Sequence, residues 1–189
     1  KVAIVSAKAQ TTRTRLMGVA MDGETQIILI DTPGIFAPTR RLDRAMVAAA
    51  WGSLEDAEAI LVVIDAAAKL TGRVERVLEG MANRPEKKFL VLNKVDLVRK
   101  DKLLTIATQL NERMAFDETF FISAFKDDGV SQLKSILSGM MPEGVWHFPE
   151  DEVSDSPERT LAAEITREQI YRQLHEELPY QSTAETELS

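Results

Sequence analysis

The 189-residue sequence contains no cysteine. Disulfide frameworks and thiolate metal sites are thereby excluded, and with no sign of an oxidising compartment the expectation is a reducing cytoplasm. Histidine is nearly absent too: His147 and His175 are the only two, both too far from the strand ends considered below to be catalytic candidates. No cluster of side chains able to hold a metal by themselves is visible. Positive charge is in deficit, with 23 Lys and Arg against 30 Asp and Glu, a net charge of −7 and a pI near 5.0. That is the wrong sign for a chain whose main surface grips a phosphate backbone. No apolar run approaches the roughly 20 residues of a membrane-spanning helix, and the N-terminus lacks the charged-then-apolar layout of a signal peptide. Gly-x-x-x-x-Gly-Lys-Ser/Thr, the phosphate-cradling loop, occurs nowhere. There is no internal repeat and no low-complexity tract.

What is present is a core: 44% of the residues are hydrophobic, enough for one full domain with an appendage. Residues 14–21 and 26–30 read as a hairpin turned at Asp22-Gly23, because Asp-Gly supplies the positive φ angles of a tight turn. The apolar runs at 59–64, 89–92 and 119–122 are short, β-branched or aromatic, and nearly continuous, which predicts strands covered on both faces. Helical spacing occupies 43–53, 74–82, 102–114 and 130–140. Strand and helix alternate at intervals suited to right-handed crossovers, so the fold class is α/β, a doubly wound, mostly parallel sheet with the hairpin at one edge. From 142 to 157 the composition turns to Pro, Gly, Glu, Asp and Ser around Trp146, His147 and Phe148, a linker that leans on a neighbouring element. Those aromatics either cover a core edge or offer a stacking patch for RNA bases. An amphipathic helix follows over 160–178, stopped by Pro179, and 180–189 can begin a strand.

In open α/β sheets ligands bind beyond the carboxyl ends of the strands. Three predicted strand ends carry polar signatures: Asp31-Thr32-Pro33-Gly34, Asn93-Lys94-Val95-Asp96 and, after Ile122, Ser123-Ala124. The second is the most specific. Guanine presents two N–H donors on one edge, and a single carboxylate such as Asp96 accepts both as a bidentate pair. Adenine lacks that donor pair, and a buried carboxylate left unpaired rejects it by up to roughly 10⁴ to 10⁵. In this reading Lys94 lays its stem along the base plane, Asn93 ties neighbouring loops together, and the Ala124 N–H donates to the guanine keto oxygen. Asp31 is placed to hold Mg²⁺ through water, and Gly34 to bring a backbone N–H close to a γ-phosphate. Upstream, Gln10-Thr11-Thr12-Arg13 is a polar loop in which a Thr hydroxyl, Thr12 in preference to Thr11, can complete Mg²⁺ coordination and let go after hydrolysis.

Together these residues resemble the Era family of translation-associated GTPases, within the larger TrmE, Era, EngA, YihA and septin-like group. The resemblance covers nearly the whole chain. Lys8-Ala9-Gln10-Thr11-Thr12-Arg13 looks like the family's switch I, Asp31-Thr32-Pro33-Gly34 like the start of switch II, Asn93-Lys94-Val95-Asp96 like its base-specificity loop and Ile122-Ser123-Ala124 like its last nucleotide loop. Phe148-Pro149-Glu150-Asp151 with Ser154-Asp155, and Glu177-Leu178-Pro179-Tyr180, resemble the linker and first helix of the KH domain. The implied fold is P-loop NTPase-like, with residues 1–141 as the GTP-binding domain, 142–158 as linker and 159–189 as the start of an α+β KH-type RNA-binding domain.

The resemblance also implies a GTP-hydrolysing switch with Mg²⁺ and GTP or GDP. It implies 16S ribosomal RNA and the 30S subunit as partners in ribosome biogenesis, a monomeric bacterial protein, and a cytoplasmic site with peripheral contact at the inner membrane face. Two departures qualify it. The phosphate-binding strand, loop and helix, roughly 30 residues, are expected ahead of Lys1 in the natural chain, and the Gly-x-x-Gly RNA clamp is expected beyond Ser189. RNA binding is therefore implied by family and not carried by these residues, and the fragment alone is expected to be inactive. Ile35 stands where Ras-like enzymes have a water-orienting Gln, so hydrolysis must use another group, K⁺ or a partner. The competing expectation is a non-catalytic α/β binding module with a vestigial nucleotide site.

Overall fold

The computed structural model describes residues 16–31 and 57–149, which fall into two compact units, 16–31 with 144–149 and 57–143. The helix expected over 43–53, the loops at 10–13 and 32–35, and everything from 150 onward lie outside the described residues.

In the first unit β1 (Leu16–Asp22) and β2 (Thr25–Asp31) form an antiparallel hairpin, with Val19 opposite Ile28 and Asp22 opposite Thr25. Its loop is therefore Gly23-Glu24, one residue later than the Asp22-Gly23 turn expected from sequence. Gly23 carries the positive φ, 58°, that a two-residue hairpin loop demands of its first member. Asp22 instead pairs with Thr25 in the ladder. Ile27 is buried, the apolar anchor of β2.

The segment 144–149 packs along this hairpin through polar groups. The Gln26 amide acts as a peptide would: its Oε1 accepts the N–H groups of His147 and Phe148, each at 3.0 Å, while its Nε2 donates to the Phe148 carbonyl at 2.9 Å. The Trp146 indole N–H donates to the Glu24 carbonyl at 2.8 Å. The expectation that this segment leans on a neighbouring element is met by the hairpin turn and the start of β2.

In the second unit three strands run parallel in the order β3-β4-β5: β3 (Ala59–Asp65), β4 (Lys87–Asn93) and β5 (Glu118–Phe121). Each crossover carries a helix, α1 (Gly72–Met81) between β3 and β4 and α2 (Lys100–Arg113) between β4 and β5, and α3 (Val130–Ser138) follows β5. The register sets Asp65 opposite Asn93 and Leu92 opposite Phe121, which brings the carboxyl ends of all three strands level.

Phe89, Leu90, Val91 and Leu92 are all buried. Since successive side chains point to opposite faces, burial of four in a row means that β4 is covered on both. The expectation of two-sided cover fails for β3, where Ile60, Val62 and Ile64 are buried but Val63 is 61% exposed, and for β5, where Phe120 is buried but Phe121 is exposed. Among the described residues β3 pairs on one flank only, with β4. The helices close the core with Leu78 and Met81 of α1, Leu103, Ile106 and Leu110 of α2, and Leu133 and Leu137 of α3, spaced three, four and seven apart as one helical face requires. Phe89 and Phe120 meet at 6.0 Å between ring centroids in a tilted pair. No helix among the described residues is long and apolar enough to cross a membrane.

Candidate functional site

The polar residues of the second unit gather where β3, β4 and β5 end. Asn93 is the last residue of β4, and its side chain turns back into the loops on either side. Its Oδ1 accepts the N–H of Lys94 at 2.8 Å and that of Ala124 at 3.0 Å, so one carbonyl oxygen ties the loop after β4 to the loop after β5. A second tie is made by backbone alone, from Val95 N–H to the Ile122 carbonyl at 3.2 Å. On the other flank the Ala66 N–H donates to the Asn93 carbonyl at 2.9 Å, which joins the loop after β3.

Lys94 occupies the left-handed region, φ 64° and ψ 35°, where a side chain with a β-carbon is disfavoured. This sharp reversal lets Val95–Leu97 form a 3₁₀ turn immediately after the strand and carries Asp96 to the strand end. The Asp96 side chain is only 13% exposed, and among the described residues its ionic partner is Lys126, with Nζ 3.7 Å from Oδ2. At that distance the ammonium is beyond hydrogen-bonding range, so the carboxylate keeps acceptor capacity for a donor pair.

The loop after β5 is held as tightly. Ser123 is fully buried; its N–H donates to the Asp128 carbonyl at 2.9 Å, and its own carbonyl accepts from Asp128 at 3.1 Å. The Ser123 hydroxyl accepts the Lys126 N–H at 3.3 Å. Gly129 then enters α3 at φ 73°, and a β-carbon built on it would stand 2.6 Å from the Phe121 carbonyl oxygen. The approach of this loop to the end of β5 therefore demands glycine on two counts.

Asp65, the last residue of β3, was not among the residues singled out from sequence, although it stands at a strand end like the others. Its Oδ2 meets the Lys94 ammonium at 2.6 Å and its Oδ1 accepts the Ala67 N–H at 2.9 Å. The bond from Lys94 holds the Asp65 carboxyl below its usual value, helped by the Ala67 N–H and opposed by burial. Lys126 was also missed, since nothing in the order Ser123-Ala124-Phe125-Lys126 reveals that the chain folds back toward Asp96.

The geometry thus brings Asn93, Lys94, Val95, Asp96, Ile122, Ser123 and Ala124 into one cluster. The Ala124 N–H, expected to face a ligand oxygen, is engaged by Asn93 in this state. Lys94 extends toward β3, with Asp65 at its tip. Of the upstream candidates, Asp31 is described in its backbone only, as the closing residue of β2. Gln10, Thr11, Thr12, Arg13, Thr32, Pro33 and Gly34 lie outside the described residues, and among those described no group of acidic or imidazole side chains suits a metal.

A family model described as 50S ribosome-binding GTPase matches residues 1–94. GTPase Era of Erythrobacter litoralis (strain HTCC2594) is 56% identical over 191 residues, covering 99% of this chain and 63% of that protein. Among solved structures, Era in complex with MgGDPNP and nucleotides 1506–1542 of 16S ribosomal RNA superposes with a TM-score of 0.88 at 36% identity, over 95% of this chain and 62% of that one. An Aquifex aeolicus Era variant bound to GDP and AlF4⁻ gives 0.86 at 37% identity, again over 95% of this chain and 62% of that one. The chain spans less than two thirds of the length of these relatives. The fold is that of the P-loop NTPases, an α/β sheet with helical crossovers, and the chain belongs to the Era family.

Proposed function

We propose that the protein is a GTP-binding, GTP-hydrolysing switch that reads guanine through Asp96. The observation that carries this reading is the Asp96 carboxylate, 13% exposed and set at the strand ends, where among the described residues its ionic partner Lys126 stands 3.7 Å away, beyond hydrogen-bonding range. A mostly buried carboxylate is costly unless donors reach it. The two N–H groups on the guanine edge supply what the site lacks, and adenine does not.

Asn93 contributes by fixing the distance between the two loops that border the base, and Ser123 by locking the second of them. Mg²⁺, when bound, neutralises charge on the β and γ phosphate oxygens; Asp31 and Thr12 are the residues proposed to hold it, and Gln10–Arg13 and Thr32–Gly34 to line the phosphates. Because Ile35 offers no donor to an attacking water, hydrolysis depends on another group, K⁺ or a partner, and is slow in isolation.

We extend the reading to the partners that family membership supplies. Era bound to 16S ribosomal RNA supports the same class of partner here, with a role in 30S subunit assembly through a KH domain beginning near residue 159. Residues 1–141 form the GTP-binding domain and 142–158 the linker. The protein acts as a cytoplasmic monomer, with peripheral contact at the inner membrane face. Calorimetric titration of the intact protein in Mg²⁺ with GTP and with ATP tests the core of the proposal. GTP is expected to bind and ATP to give no heat; comparable affinities for the two would end it.

A further inference from the structure

Asp65 plays no part in reading the base, yet it is the group that holds Lys94. The Lys94 backbone is in the left-handed conformation, φ 64°, which disfavours a residue with a β-carbon, and three bonds keep it there. Asn93 Oδ1 takes its N–H at 2.8 Å, its carbonyl accepts the Leu97 N–H at 3.0 Å, and its ammonium reaches Asp65 at 2.6 Å. Asp65 is itself fixed, because its other oxygen caps Ala67 and the next residue, Ala66, is hydrogen-bonded to the Asn93 carbonyl. The parallel register puts Asp65 directly opposite Asn93 on the neighbouring strand. One carboxylate thus grips its own loop with one oxygen and the base loop with the other.

Accepting the guanine-binding reading of the same loop, we propose that Asp65 is a positioning residue for the nucleotide. It draws the Lys94 side chain from β4 across to β3, so that the lysine's methylene stem forms a fixed apolar rail on which one face of the purine rests. The pair is open to a ligand, since the Lys94 and Asp65 side chains are 50% and 37% exposed. A free lysine at this position would have to be ordered when the nucleotide arrives; here the ordering is done in advance, which is how preorganisation raises affinity.

The test is titration of the intact protein with fluorescent GDP in Mg²⁺, using Asp65→Asn, Asp65→Glu, Lys94→Met and the Asp65→Asn/Lys94→Met double variant. Asp65→Asn keeps an oxygen for Ala67 and loses the charge for Lys94, whereas Lys94→Met keeps the stem and loses the hook. Each single variant is expected to weaken GDP binding roughly threefold to tenfold, the loss associated with ordering one long side chain on binding. The double variant is expected to be no weaker than either single variant, and Asp65→Glu to recover most of the affinity. A purely structural role would show instead as a lowered melting temperature with no rescue by Glu. Unchanged affinity in Asp65→Asn, additive losses in the double variant, or tighter binding, which would make Asp65 a competitor for Lys94, each overturns the proposal. Failure of the guanine reading is separately visible, as an Asp96→Asn protein whose base preference has not moved.

Discussion

Asn93 is the residue on which most of the site's geometry converges, and it shows how differently its neighbours were written in the sequence. Asn93 and Asp96 were legible because their spacing sits directly after a buried strand. Asp65 and Lys126 were not, because each matters through a partner 29 or 30 positions away, and one sequence carries no trace of such pairing. Replacing Asn93 with Ala leaves the Lys94 and Ala124 N–H groups without their shared acceptor. The expected cost is about 1–3 kcal/mol, read as a lower denaturant midpoint with an unchanged slope.

Asp65 adds a pH dependence of known sign. Its folded-state carboxyl titrates below the ordinary value because of Lys94, so its contribution is complete above the usual carboxylate range. That contribution is lost as pH falls through the lowered value. With the pair more than a third exposed, its worth is at most about 1 kcal/mol. The acid limb of a stability-against-pH curve is expected to become shallower in Asp65→Asn, while stability at pH below the lowered value stays close to that of the parent protein.

At the scale of elements the periodicities read from sequence located every described strand and helix, and the residual errors have physical causes. Both α1 and α2 begin two residues before the apolar spacing does, at Gly72 and Lys100, since a helix's first turn need not contribute to the core. The hairpin loop moved one residue because Asp22 pairs with Thr25, a choice that the Asp-Gly dipeptide alone leaves open. The docking of residues 146–148 on the hairpin was foreseeable only as a tendency. What makes it specific is Gln26, a polar residue inside a strand whose amide pairs with the Phe148 backbone as another strand would. In Gln26→Ala the Phe148 amide is expected to lose its protection from hydrogen exchange while the ladder amides of β1 and β2 retain theirs. Equal loss throughout the hairpin would mean that Gln26 supports the turn and not the 146–148 segment.

For the whole molecule, the alternation of strand and helix defined the α/β class, and membership of the Era family follows from likeness over nearly all of the chain. The measurement that tests the central claim most directly is competition between GTP and xanthosine triphosphate for the intact protein and its Asp96→Asn variant. Xanthine presents an acceptor where guanine presents a donor, so an amide at position 96 should reverse the preference, GTP losing and XTP gaining affinity. If the Asn variant still prefers GTP to the same degree as its parent, Asp96 does not read the base.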